Sequence, residues 1–253
     1  MPFHSTSPID YLLHLADTNL IFSQRNGEWC GHGPILEQDI ALTNISLDLL
    51  GQARNFYQHA ALLINEKNPG EPLSEDSLAY LRTERDFKNL LLAELPNGDW
   101  GQTILRQFLF SSFQYLLYQH LQAASDVQLS AIAEKALKEV TYHLRWSGEW
   151  VVRLGDGTSE SYQRMQQAVE ILWPYTGEMF LSSDFEQDVI GNMKIIQEEW
   201  LRKVTTIFNE ATLSIPENVF MQQGGKKGLH TEHLGYLLAE MQHLQRAYPN
   251  SNW

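Results

Sequence analysis

From Gly101 through Ser125 the chain carries no aspartate or glutamate. The stretch "GQTILRQFLFSSFQYLLYQHLQAA", residues 101–124, reads as one helix that is apolar nearly all round. Such a helix has no face to offer water, so it must lie at the centre of other helices. Its glutamines and serines interrupt the apolar run, and no segment of the chain reaches the ~18–20 apolar residues of a membrane span. One central helix of this kind predicts an all-α bundle around it.

The rest of the chain supplies the surrounding helices at the same period, with no convincing alternating run. "SPIDYLLHLADTNLIFSQ" opens with Ser7 as a cap, Pro8 in the first turn and Asp10 just after. Residues Glu37–Ile64 place Leu42, Ile45, Leu49, Ala53, Phe56, Ala60 and Leu63 at three-four spacing. "NEKNPGEPLS" breaks the chain, and Ser74–Leu95 follows as a third helix. After the acid-free helix come Val127–Leu154, Ser159–Leu181 with an interruption at Pro174, and Asp184–Leu213. A last helix carries Leu234, Leu237, Leu238, Met241 and Leu244 on one stripe. The expectation is a single domain over residues 1–253, with about eight helices and short connections.

The net charge of −13 argues against nucleic acid or an anionic membrane as a partner. A single cysteine, Cys30, excludes an internal disulfide and fits a reducing compartment. The first residues lack a basic start followed by an apolar run, so the expected location is the cytoplasm. Cys30 and His32 in "EWCGHG" are a conceivable thiol–imidazole pair, although such pairs usually meet in space rather than in sequence.

The segment "KEVTYHLRWS" puts Glu139 and His143 one helical turn apart. A di-iron helix bundle needs a Glu from each of two helices and Glu-x-x-His from each of the other two. Carboxylates are hard anionic donors able to bridge two cations, and imidazole adds a neutral nitrogen. Here Asp48 is followed by Gly51 and Gln52, Glu139 by Tyr142 before His143, and the central helix has no acid at all. The full ligand set cannot be assembled. Asp17, Asp48, Glu139 and His143 remain as candidates for a vestigial site or a buried polar cluster. Arg25, Arg54, Arg106 and Arg145 are the candidate partners for its charges.

Four longer stretches carry a further signal: "SQRNGEWCGHGPILEQDIALTNISLDLLGQARNFY", "TERDFKNLLLAELPNGDW", "KEVTYHLRWSGEWVVRLGDGT" and "GGKKGLHTEHLGYLLAEMQHLQRAYP". In order and spacing they resemble the C subunits of the bacterial phenylacetyl-CoA epoxidases, from about residue 9 onward. The resemblance implies a ferritin-like bundle with additional C-terminal helices. It implies a non-catalytic subunit that pairs with a di-iron A subunit, with a small bridging B subunit joining the pairs. A reductase carrying FAD and an iron–sulfur cluster would deliver electrons from NADPH. The complex would epoxidise the ring of phenylacetyl-CoA. The implied catalytic, cofactor-binding and metal residues of this chain are none. The alternatives are an independent oxygenase with a reduced site built on Asp48, Glu139 and His143, and a module that delivers a CoA thioester. In "GGKKG", Lys226 and Lys227 precede a helix start, with Thr231 as its cap, and are candidate contacts for the CoA phosphates. Pairing is expected through apolar helix faces, with the second and fourth helices holding the most apolar surface.

Overall fold

In the computed structural model the acid-free segment is one helix, and every residue from 103 to 114 is buried. The structure describes residues 7–68, 70, 72–186, 189, 191–249 and 251. Among them are ten α-helices: α1 Ser7–Gly27, α2 Leu36–Lys67, α3 Glu75–Tyr80, α4 Leu91–Glu94, α5 Trp100–Leu121, α6 Val127–Gly155, α7 Ser159–Leu172, α8 Met193–Glu210, α9 Glu232–Met241 and α10 His243–Ala247. The fold is all-α and ferritin-like, as expected. No helix among the described residues is long and apolar enough to cross a membrane.

Two long pairs form the bundle, α1 with α2 and α5 with α6, and α2 also packs on α6. The pairing follows from the apolar stripes. On α2, Leu42, Ile45, Leu49, Ala53, Phe56 and Ala60 are fully buried. On α6 the buried positions are Leu129, Ile132, Ala133, Ala136, Val140, His143, Trp146 and Val151, a single inward face. Phe22 of α1 stacks on Phe110 of α5 with ring centroids 3.9 Å apart. Burying each such side chain is worth about 1.5–3 kcal/mol against exposure. α7 and α8 cover the other side of α5, where Trp200 Nε1 donates to the Leu109 carbonyl at 3.0 Å. Asp99 caps α5 by accepting from Gln102 N, and Asp126 caps α6 by accepting from Leu129 N.

Three sequence boundaries are corrected. Residues 74–95 are not one helix: α3 stops at Tyr80, a 3-10 turn covers Glu84–Asp86, and α4 is a single turn. The backbone N–H groups there are claimed from elsewhere in the fold. Lys88 N donates to Asp17, Leu90 N to the Thr18 hydroxyl and Leu91 N to Glu178. The helix expected from Asp184 is α8, which begins at Met193 because Gly191 turns at φ +55° and Asn192 caps by accepting from Lys194 N. Part of the expected stretch, 187, 188 and 190, lies outside the described residues. The last helix divides at Gln242, whose buried amide donates to the carbonyls of Ala79 and Arg82. Leu244 is consequently exposed, while Leu234, Leu237 and Leu238 are buried. The cap at Thr231 forms, but the Ser7 side chain lies outside the described residues. The helix after Ser159 does break at Pro174, into two 3-10 turns.

Candidate functional site

The four long helices meet at a network of amides and a phenol. α1 contributes Asn19, α2 Gln52, and α5 both Gln114 and Tyr118. Gln114 Nε2 donates to Asn19 Oδ1 at 2.7 Å and to the Tyr118 hydroxyl at 3.1 Å. The Tyr118 hydroxyl donates to Gln52 Oε1 at 3.0 Å and accepts from Asn19 Nδ2 at 3.2 Å. Gln52 Nε2 then donates to Glu139 Oε2 of α6 at 2.9 Å. All four neutral residues are buried. Burial pushes the pKa of the Tyr118 phenol well above its ordinary value, beyond the range in which it would ionise, so it acts as a neutral donor and acceptor.

Beside this network lies the pair the sequence singles out. His143 is buried, and its Nε2 lies 2.9 Å from Asp48 Oδ2, while Nδ1 has no partner. Glu139 is half-buried. Desolvation raises its pKa, the Gln52 amide opposes that rise, and the charge of Asp48 adds to it. Asp48, Glu139 and His143 are therefore brought to one place between α2 and α6.

These residues do not fit a di-iron centre. Such a centre needs several free anionic oxygens on facing helices. Here Asp48 is joined to His143, Glu139 to Gln52, and the α1 and α5 positions hold amides and a phenol. Among the described residues no three of His, Cys, Asp and Glu come together in a way that could hold a metal ion.

Asp17 belongs to a different cluster. Its buried carboxylate forms a two-point ion pair with Arg82 and accepts from the Tyr57 hydroxyl at 2.5 Å and from Lys88 N at 2.8 Å. Burial would lower the Arg82 pKa, but the Asp17 charge reverses this and holds it above the ordinary arginine value. None of the four arginines nominated from sequence pairs with the candidate set. Arg25 reaches Glu28 and the Glu94 carbonyl, Arg54 reaches Glu75, Arg106 reaches the Leu95 carbonyl and Asn97, and Arg145 lies over Tyr142. The partner that the fold supplies is Arg82, which no sequence pattern singles out.

The glycine loop is a clamp rather than a solvated basic patch. Lys226 is buried, and its Nζ donates to both Glu186 oxygens at 2.8 and 2.9 Å and to the Leu181 carbonyl at 2.8 Å. Its charge is thereby consumed, and only Lys227 faces solvent. Gly224 N donates to Glu178, and Gly225 lies so close to Asn89 that an added Cβ would meet its carbonyl oxygen at 2.2 Å. Two carboxylates of this clamp titrate in opposite senses. Burial raises Glu178, whereas the Lys226 charge overcomes burial and lowers Glu186. His230 bonds Glu94 at 3.0 Å and the Phe87 carbonyl at 2.9 Å, and Thr231 N donates to Glu94 at 2.6 Å. Cys30 is exposed, and His32 contacts its backbone carbonyl at 3.2 Å, so these contacts make no thiol–imidazole pair.

The residues missed from sequence are Asn19, Gln114, Tyr118 and Arg82. The i, i+4 spacing of Gln114 and Tyr118 in an acid-free helix is the one signal that points to the network. A family model described as "Phenylacetic acid catabolic protein" matches residues 3–253. The chain is also similar to the protein of Escherichia coli (strain K12) named as the C subunit of 1,2-phenylacetyl-CoA epoxidase. The two are 48% identical over 248 residues, which is 96% of this chain and 98% of that protein. With nearly its whole length matched, this chain belongs to the phenylacetic acid catabolic protein family.

Proposed function

We propose that this chain is the non-catalytic structural subunit of a multicomponent di-iron monooxygenase that epoxidises the ring of phenylacetyl-CoA in aerobic phenylacetate catabolism. It pairs with a related catalytic A subunit and stiffens it, while the small B subunit and the reductase complete the complex. The observation that carries the reading is the four-helix junction. A catalytic bundle requires ligating carboxylates there, and this chain fills it with Asn19, Gln114, Tyr118 and Gln52, each hydrogen-bonded to the next. Such a network ties α1, α2 and α5 together and rigidifies the bundle without supplying the anionic oxygens of a di-iron centre. The relative's name supports the reaction assigned to the complex.

The surface supports pairing. α2 exposes Leu36, Ile40, Leu47, Leu50 and Leu62, with Leu36 and Leu47 at 72% and 59% exposure. So much aliphatic surface on one helix is a mark of an interaction face. α5 exposes only Gln119 and His120 and has no exposed apolar side chain to share, contrary to the sequence expectation, because the core consumes its apolar residues. The α2 face is assigned to the A subunit.

The test is reconstitution. The chain is purified alone and mixed with reductase, NADPH and phenylacetyl-CoA, with and without the catalytic partner. Product is expected only when both bundles are present. Turnover by this chain and the reductase alone would overturn the reading.

A further inference from the structure

Three surface features lie outside the junction: the cleft beside Lys227, the exposed stripe of α2, and a groove between α6 and α8. The cleft is lined by Glu178 and by Lys226, whose charge is already paired. The stripe serves the pairing just described. The groove carries an inference of its own.

α6 and α8 touch at one end. Gly155 lies so close that an added Cβ would meet the Ala211 carbonyl oxygen at 2.3 Å. From this vertex a groove of about 580 Å³ opens between the two helices. That is within the size range of small-molecule sites. Its floor is apolar, made by Phe108 of α5, Leu144, Gly148 and Val152 of α6, and Ile207 of α8.

Gly148 is buried in the middle of a helix, where glycine is less stable than alanine. The fold does not require it. An added Cβ would meet the Phe108 ring at 3.5 Å and Ile207 at 3.9 Å, both ordinary contacts. What glycine does at this position is leave the floor of the groove open.

The rim carries Arg145, Arg153 and Lys203. Each lies over a ring instead of a carboxylate: Arg145 over Tyr142, Arg153 over Trp150 and Lys203 over Tyr115. Glu149 and Glu210 also line the groove, so cations outnumber acids by three to two in a chain of charge −13. Among the described residues none of the five forms an ion pair. Arg145 of α6 and Lys203 of α8 come from opposite walls, so an anion between the two helices would have a cation on either side.

The geometry points to a binding site for an amphipathic organic anion, its aromatic or acyl end on Phe108 and Gly148 and its anionic end between Arg145 and Lys203. The site lies apart from the amide junction and does not depend on the function proposed above. Its anion is either a carboxylate or a phosphate.

Isothermal titration of the full chain with phenylacetate, CoA and phenylacetyl-CoA tests it. The expected result is saturable binding at one site per chain for at least one compound with an apolar end. Gly148→Leu, which fills the floor, and the double variant Arg145→Gln with Lys203→Gln are each expected to weaken it tenfold or more. The remote, exposed Leu81→Ser serves as the folded control and is expected to bind as the wild type does. Binding of phenylacetate ten times tighter than its thioester, which has no free carboxylate, assigns the carboxylate. Binding of the thioester ten times tighter assigns the phosphates. No saturable binding by any probe overturns the proposal, as does binding that the groove-filling and charge-removing variants both leave unchanged.

Discussion

Replacing Arg82 by leucine removes the only guanidinium that reaches the buried Asp17 carboxylate among the described residues. Tyr57 and Lys88 N would remain as its donors. Breaking one partner of a buried ion pair typically costs about 3–5 kcal/mol, because the other charge is left desolvated. Arg82 also donates to the carbonyls of Leu78 and Asp86, which lose a partner in the same step. For a chain of this size each kcal/mol moves the melting point by roughly 2–4 °C, so Arg82→Leu should lower it by roughly 6–20 °C. Circular dichroism melts and urea titration measure this directly. The double variant Asp17→Asn with Arg82→Leu should recover part of the loss, since the unpaired charge is gone, and the deviation from additivity gives the coupling. A loss below about 1 kcal/mol for Arg82→Leu, or strict additivity of the pair, would refute the assignment of Asp17 as the anchor of the 81–90 segment.

Three other outcomes are expected. Gly148→Ala should stabilise the chain by about 0.5–1 kcal/mol in urea titration, because the added methyl has room and helix propensity improves. Leu47→Glu should abolish association with the catalytic partner in analytical ultracentrifugation while its melting point stays near that of the wild type, and Tyr236→Glu on a different helix should leave association intact. The pH dependence has two arms. Burial alone would lower the His230 pKa, but its bond to Glu94 raises it above the ordinary 6.5, so that stability is fully present below pH 6.5 and is lost as pH rises through the folded value. Burial would raise the Glu186 pKa, but Lys226 holds it below 4.5, so its contribution is present above pH 4.5 and is lost as pH falls through the depressed value. Melting points from pH 3 to 9 should show both losses (roughly the span over which such groups titrate), and His230→Gln should remove the upper one.

The bundle is legible because its signals are local. The acid-free run predicts a central helix, and the stripes of the segments pairing with it predict their inward faces, so α1, α2, α5 and α6 fall close to where the sequence puts them. What the sequence hides are bonds made across long separations. Asp17 and Arg82 stand 65 residues apart and Lys226 and Glu186 stand 40 apart, and no period links them. Other long-range bonds, from Lys88 N to Asp17 and from Leu91 N to Glu178, explain the failed helix at 74–95, since helix propensity yields to buried oxygens that need its N–H groups. At the junction the sequence reveals what is missing, the acids of α5, but not what stands in their place. Apart from the i, i+4 spacing of Gln114 and Tyr118, neutral Asn and Gln carry no pattern that separates a buried network from a solvated surface.

Metal content of the chain, purified without partners from iron-replete medium and measured by mass spectrometry per mole of protein, tests the central claim most directly. An account in which Asn19, Gln52, Gln114 and Tyr118 close the junction predicts iron near zero. About two irons per chain, the content of a carboxylate-bridged bundle, would contradict it and return Asp48, Glu139 and His143 to the role of ligands.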